Sequence, residues 1–158
     1  MTDLREIMVV IPGNPKPCPR PRSTKRGIVY MPSVYKQWQS HAQAYIVEER
    51  NRMFGYSGNL NTSVPWFPPG EPVLLQVLAV FPCPKGDYRK ALHVGRRKHV
   101  KKTADADNIL KAVMDACTPL LWLDDAQVST ASCSKWVGAQ GEAPYIQIVA
   151  MRDEVSDG

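Results

Sequence analysis

The chain has 158 residues, 44% of them hydrophobic and 22% charged, with a formal net charge of +5. That length suggests one domain with a real apolar core, and the composition excludes a disordered polar chain. No apolar run approaches the roughly 20 residues that a membrane helix needs, and the basic excess favours polyanionic partners.

Residues 7–12 (IMVVIP) are short, β-branched and ended by Pro12, which predicts a strand. The prolines of 13–27 forbid a helix and favour extended backbone. This segment reads as a rigid arm presenting Arg20, Arg22, Lys25 and Arg26. Residues 28–32 (IVYMP) can extend as a short strand. Ser33 can cap a helix over about 33–53, in which Val34, Trp38, Ala42, Tyr45 and Ile46 recur at helical spacing. Gly55 is its stop signal.

Residues 54–71 are rich in Gly, Asn, Ser and Pro and predict a long loop. The almost continuous apolar run PVLLQVLAVFP (72–82) fits a central strand buried on both faces. A basic stretch reaches to Lys102, and a helix is expected over about 108–118. Residues 126–137 and 144–151 predict strands, joined through Gly138 and Gly141 as a hairpin. The order describes a single-domain α+β fold, a mixed β-sheet with two main helices packed on it. Residues 1–151 form that domain, and 152–158 form a flexible acidic tail.

Cys18, Cys83, Cys117 and Cys133 are far apart, with no C-x-x-C pair and no secretory signal beside them. They read as reduced thiols in a cytoplasmic protein.

The chemistry concentrates in KKTADADNILKAVMDA, residues 101–116. Asp105 and Asp107 lie just before the expected helix, where extended backbone would turn side chains at i and i+2 to one side. Lys111 sits one turn beyond Asp107. Asp124 and Asp125 precede the next strand, which would bring one of them back towards the start of the helix. Taken singly, each carboxylate could be a helix cap or a turn residue. Three or four converging carboxylates, with no histidine or thiol among them, make an all-oxygen site suited to Mg2+ or Mn2+. Lys98, Lys101 and Lys102 supply the positive field that a nucleic acid requires. Metal and basic residues cooperate when the substrate is a phosphodiester.

The stretch DADNILKAVMDACTPLLWLDDAQV resembles the core signature of the RusA family of Holliday junction resolvases, roughly D-x-D-N-x-x-K-x-x-x-D-A followed by DD-x-Q-V. HVKKTADADN resembles the His-x-Lys-Lys approach of phage and prophage members, and PGNPKPCPRPR…GIVYMPS resembles their Pro/Arg-rich opening. The resemblance implies a RusA-like fold and a homodimeric, Mg2+-dependent endonuclease. Such an enzyme makes paired symmetric nicks in a four-way DNA junction, in recombination and repair. It implies Asp105, Asp107 and Asp125 as catalytic metal ligands, with Asp124 a further candidate, and Lys111 as the essential lysine. Asn108 and Asp115 would support the site by capping the helix or pairing with Lys111. Arg20, Arg22, Lys25, Arg26, Arg96, Arg97, Lys98, Lys101 and Lys102 would bind DNA. No small-molecule cofactor and no membrane is expected. The turn TPLLWL lacks the glycine often seen at that point.

Two other readings remain. A palm-type nucleotidyl transferase also uses D-x-D, but this chain has no Gly-rich phosphate loop. A non-catalytic junction- or RNA-binding protein would normally display aromatics on its sheet. Here only Trp136 and Tyr145 stand near the expected hairpin.

Overall fold

The computed structural model describes residues 6–54, 64–90, 95–101 and 104–154. Lys102, residues 55–63 of the expected 54–71 loop and the last four residues of the tail lie outside them. Strand β1 (Glu6–Pro12) leads into the arm, where β2 (Arg22–Ser23) and β3 (Val29–Tyr30) pair with each other. Helix α1 (Ser33–Phe54), β4 (Val73–Phe81), α2 (Lys85–Lys90), β5 (Arg97–Lys98) and α3 (Ala106–Cys117) follow. A 3-10 turn (Asp125–Gln127) then introduces β6 (Val128–Val137), and β7 (Tyr145–Arg152) closes the fold.

The main sheet has the order β1-β7-β4-β6-β5. The sequence suggests a β6–β7 hairpin, and this is corrected: β4 lies between them, parallel to β6 and antiparallel to β7. The chain between β6 and β7, residues 138–144, steps over the end of β4. Gly138 permits that crossing, because a Cβ there would meet Phe81 O at 3.1 Å. Burial drives the arrangement. The most apolar strand takes the centre, where both edges are hydrogen-bonded.

The register lines up the core in rungs. Ile7 faces Ala150, which faces Leu75; Val9 faces Ile148, which faces Val77; Ile11 faces Ile146, which faces Ala79. All nine side chains are buried. The alternate residues of β1, Met8 and Val10, are exposed, as is Gln76 of β4. The helices therefore cover one face only. The expectation that β4 is buried on both faces is corrected: on the second face Val80 is buried, Leu74 and Leu78 are half-buried and Gln76 is exposed.

Helix α1 packs on β1 and α3, and α3 packs on β6 and β4. In α1, Tyr35, Trp38, Ala42 and Ile46 are buried while Val34 is exposed. The apolar stripe thus begins at Tyr35 rather than Val34, one position on from the sequence expectation. In α3, Ile109, Ala112, Val113, Ala116 and Cys117 turn inward at spacings of three and four. Trp66 N–H and Phe67 N–H donate to Leu120 O and Leu121 O, which ties the end of the long loop to the turn after α3. Arg50, buried, donates to Val64 O at 2.6 Å and closes the other side of that loop. The start of the acidic tail is also held: Asp153 N–H donates to Pro72 O, and its carboxylate accepts from Ser129 and Thr130.

Ile109 is fully buried at the α3–sheet contact. Ile109→Ala is expected to destabilise the fold by about 2–5 kcal/mol, read as a fall in the urea midpoint with unchanged slope.

Candidate active site

Helix α3 begins at Ala106, two residues earlier than the apolar pattern alone suggests. Asp105 is its N-cap residue by backbone, with φ −69° and ψ 136°, but its carboxylate makes no capping hydrogen bond. Asp107 therefore lies inside the first turn, not on extended chain before it. Its Oδ1 accepts from the N–H of Asn108 at 3.0 Å. Both carboxylates are exposed at the positive end of the helix, where their charge is favoured. Lys111 is exposed one turn further on and has no acidic partner among the described residues.

Asp125 is placed differently. Its Oδ1 accepts from Thr118 Oγ1 at 2.7 Å and from Trp122 Nε1 at 3.1 Å. Thr118 is the C-cap of α3. The strand after the turn does not return Asp125 to the start of the helix, as the sequence suggests, but holds it at the far end. Twelve residues make α3 about 18 Å long. Its charge also reaches buried Cys117, whose thiol is pushed above its ordinary range by burial first and by Asp125 second. Asp124 is spent locally: its Oδ1 accepts from the N–H of Ala126 at 2.8 Å and caps the 3-10 turn.

Consequently, among the described residues, no three His, Cys, Asp or Glu side chains stand close enough to hold a metal ion together. The donor chemistry still fits a hard cation, since every candidate is a carboxylate. What one chain presents is two parts, Asp105 with Asp107 at one end of α3 and Asp125 at the other.

Asp115 does not pair with Lys111, and this expectation is corrected. Its Oδ2 accepts from Tyr35 Oη at 2.9 Å and lies 4.0 Å from Cys18 Sγ. Gln39 Nε2 donates to Asp115 O at 3.3 Å. Burial, then hydrogen bonding to Cys18 and to Asp115, holds the Tyr35 phenol far above its ordinary range, so it stays a donor. The N–H of Cys18 donates to Asn108 O at 2.9 Å, so the arm is tied to the residue beside Asp107. Asn108 thus supports α3 through its backbone. Sequence reasoning missed Tyr35, Gln39, Thr118 and Trp122, each of which acts through a partner far from it in sequence or across a turn.

The cations divide into two sets. Arg96 is paired with Glu142 at 2.6 Å and donates to Tyr145 Oη at 2.7 Å. Arg97 is paired with Asp87, and Lys98 Nζ lies 3.9 Å from the centre of the Trp136 ring. These three are committed within the fold. His99 packs on Phe81 with ring centroids 4.6 Å apart. Burial first, then Lys135, Lys101 and Arg97, lower its pKa and hold it neutral. Lys101, Arg20, Arg22, Lys25 and Arg26 are exposed and have no acidic partner among the described residues.

A sequence profile of the endodeoxyribonuclease RusA family matches residues 12–149, most of the chain and all of the elements just described except β1 before Pro12 and the end of β7. The chain belongs to the RusA family. It is an endodeoxyribonuclease, a hydrolase of DNA phosphodiesters, of a family that resolves Holliday junctions in recombination. The mixed sheet with helices is the RusA-like α+β fold. No curated protein gives a significant match. In this RusA-family enzyme no helix of the described residues is long and apolar enough to cross a membrane.

Tyr35→Phe removes the donor that fixes Asp115. The expected loss is roughly 1.5–3 kcal/mol of stability, measured by chemical denaturation, because a hydrogen bond to a charged group is broken.

Proposed function

We propose that the chain is a Mg2+-dependent homodimer that cuts four-way DNA junctions by paired symmetric nicks, with each site shared between two chains. The observation that carries this reading is the separation along α3. Asp107 and Thr118 are eleven residues apart, about 16 Å along the axis. An ion with oxygen ligands at about 2.1 Å cannot bridge that distance. A two-fold dimer supplies Asp125 from one chain to Asp105 and Asp107 of the other, and does so twice.

In this reading Asp105 and Asp107 of one chain and Asp125 of the second hold the cation, with Mn2+ a possible substitute. When bound, the cation would lower the pKa of water and neutralise charge on the phosphate. Thr118 and Trp122 orient Asp125 by donating to Oδ1, which leaves Oδ2 for a ligand. Lys111, unpaired within the described chain, places its ammonium beside the scissile phosphate and offsets the charge that grows there. The exposed cations of the arm and Lys101 hold the DNA backbone. Asp124, already capping its turn, is left a structural role. The products would carry a 5′-phosphate and a 3′-hydroxyl.

A non-catalytic RNA-binding role is disfavoured by one observation. Trp136 and Tyr145 are each covered by a cation of the same chain, Lys98 at 3.9 Å and Arg96 at 5.8 Å. Each ring already has one face taken by a cation.

The test is complementation. Asp107→Asn and Asp125→Asn are each expected to abolish cleavage of a labelled four-way junction while leaving binding within about threefold, since each removes a metal ligand and no backbone contact. Mixed and allowed to exchange, the two dead variants should recover about a quarter of wild-type nicking, because half the dimers carry one intact shared site. No recovery from a mixture shown to contain heterodimers would place the whole site in one chain. Retained cleavage in both variants would remove the carboxylates from the mechanism. Thr118→Val should lower cleavage by about tenfold at a stability cost of about 1 kcal/mol, since it frees the Asp125 carboxylate to turn.

A further inference from the structure

The exposed part of the arm carries more than charge. Arg22 and Tyr30 are register partners across β2 and β3, so their side chains leave the same face of that pair. They form one wall of a cleft of about 580 Å³. Lys16, Pro17 and Pro19 form another wall, and Pro32 to Tyr35, where α1 begins, form the floor. That volume lies in the range of roughly 300–1,000 Å³ typical of small-ligand sites.

Around it the surface is unusual. Ile28 and Val29 are 62% and 68% exposed, and Val34 is 57% exposed, all within a segment that also presents Arg20, Lys25 and Arg26. Contact with phosphate alone has no use for exposed apolar side chains. Unstacked bases do, because their faces are apolar and their backbone is anionic.

We propose that this cleft receives an unstacked nucleotide of branched DNA, its base lying on Tyr30 and its phosphate between Lys16 and Arg22. This rests on the junction substrate of the reading above and adds how the branch is told from duplex. A continuous duplex offers no unstacked base without a cost of a few kcal/mol, whereas a branch point has already interrupted the stack.

The cleft is preformed. Prolines fix the backbone of its arm wall. Tyr35 in its floor is buried and held by Asp115, so little ordering is required on binding. It is also beside the acidic end of α3. Pro17 adjoins Cys18, whose N–H is bonded to Asn108 O, the neighbour of Asp107. A base seated on Tyr30 would thereby set which phosphate reaches Asp105, Asp107 and Lys111.

The experiment uses the full chain in EDTA, so that no strand is cut. Binding is measured to a four-way junction carrying 2-aminopurine at the branch and to a duplex of the same sequence. Tyr30→Ala is expected to weaken junction binding by about 5- to 150-fold, the range for losing one base–aromatic stack, while duplex binding changes by less than about twofold. The wild type should alter the 2-aminopurine emission on binding, and Tyr30→Ala should not. Tyr30→Trp should restore both effects, which separates stacking from a folding defect of the β2–β3 pair. Equal losses on junction and duplex, or no loss on either, would overturn the proposal. Mg2+-dependent cleavage of the same junction by the wild type is scored separately. Its absence, with the Tyr30 effect intact, would sink the Mg2+-dependent junction-cutting reading and leave the cleft standing.

Discussion

One half-buried contact fixes the geometry of this enzyme, the hydrogen bond from Tyr35 to Asp115, with Cys18 beside it. It joins the arm, the first turn of α1 and the last turn of α3, which are up to 97 positions apart in sequence. A half-buried carboxylate is held in one orientation when donors reach it. The phenol, whose own ionisation is suppressed by the same burial, is such a donor. Without this contact the arm would be tied to α3 by the Cys18–Asn108 backbone bond, and α1 to α3 by Gln39 and apolar packing.

The rest of the site inherits its precision from that contact. Because α3 is fixed against α1, its N-terminus projects Asp105, Asp107 and Lys111 from a rigid end rather than from a loop. Because the arm is fixed to Asn108, the free cations of residues 20–26 stand at a defined distance from those carboxylates. The second cationic group is fixed by the opposite strategy, in which Arg96, Arg97 and Lys98 are each neutralised or stacked within the fold. Equal charge in the sequence therefore has two different meanings. One set stays exposed on the surface, and the other braces β5 against β6 and the loop before β7.

Local pattern made much of this legible, and long-range choice hid the remainder. The strand at β1, the long helix α1, the apolar β4 and the stripe of α3 are periodicities that burial enforces, and they fall within a residue or two of expectation. The family was legible from the acidic motif taken as a whole, although each carboxylate alone could be a cap or a turn residue. What the sequence could not give was which strands become neighbours. β6 and β7 look like a hairpin because the chain between them contains two glycines, yet the need to surround β4 prevails. Asp125 looks like a neighbour of Asp107 because both precede regular elements. Its position is decided instead by Thr118 and Trp122, which close a turn at the other end of α3. The pairing of Arg96 with Glu142 was hidden for the same reason, since 46 residues separate the partners.

The length of α3 has a consequence for dosage. If, as proposed, the ligands of one cation stand at opposite ends of this rigid rod, a lone chain would hold no complete cutting centre and would do no harm to the DNA it meets. At low abundance, under the shared-site reading, activity rises with the square of the amount of protein, as it must for any second-order assembly. A cell could then carry a small, constant level of this nuclease silently. Destructive power would appear only where two copies gather, and a DNA crossover with its own two-fold axis is the place that gathers them.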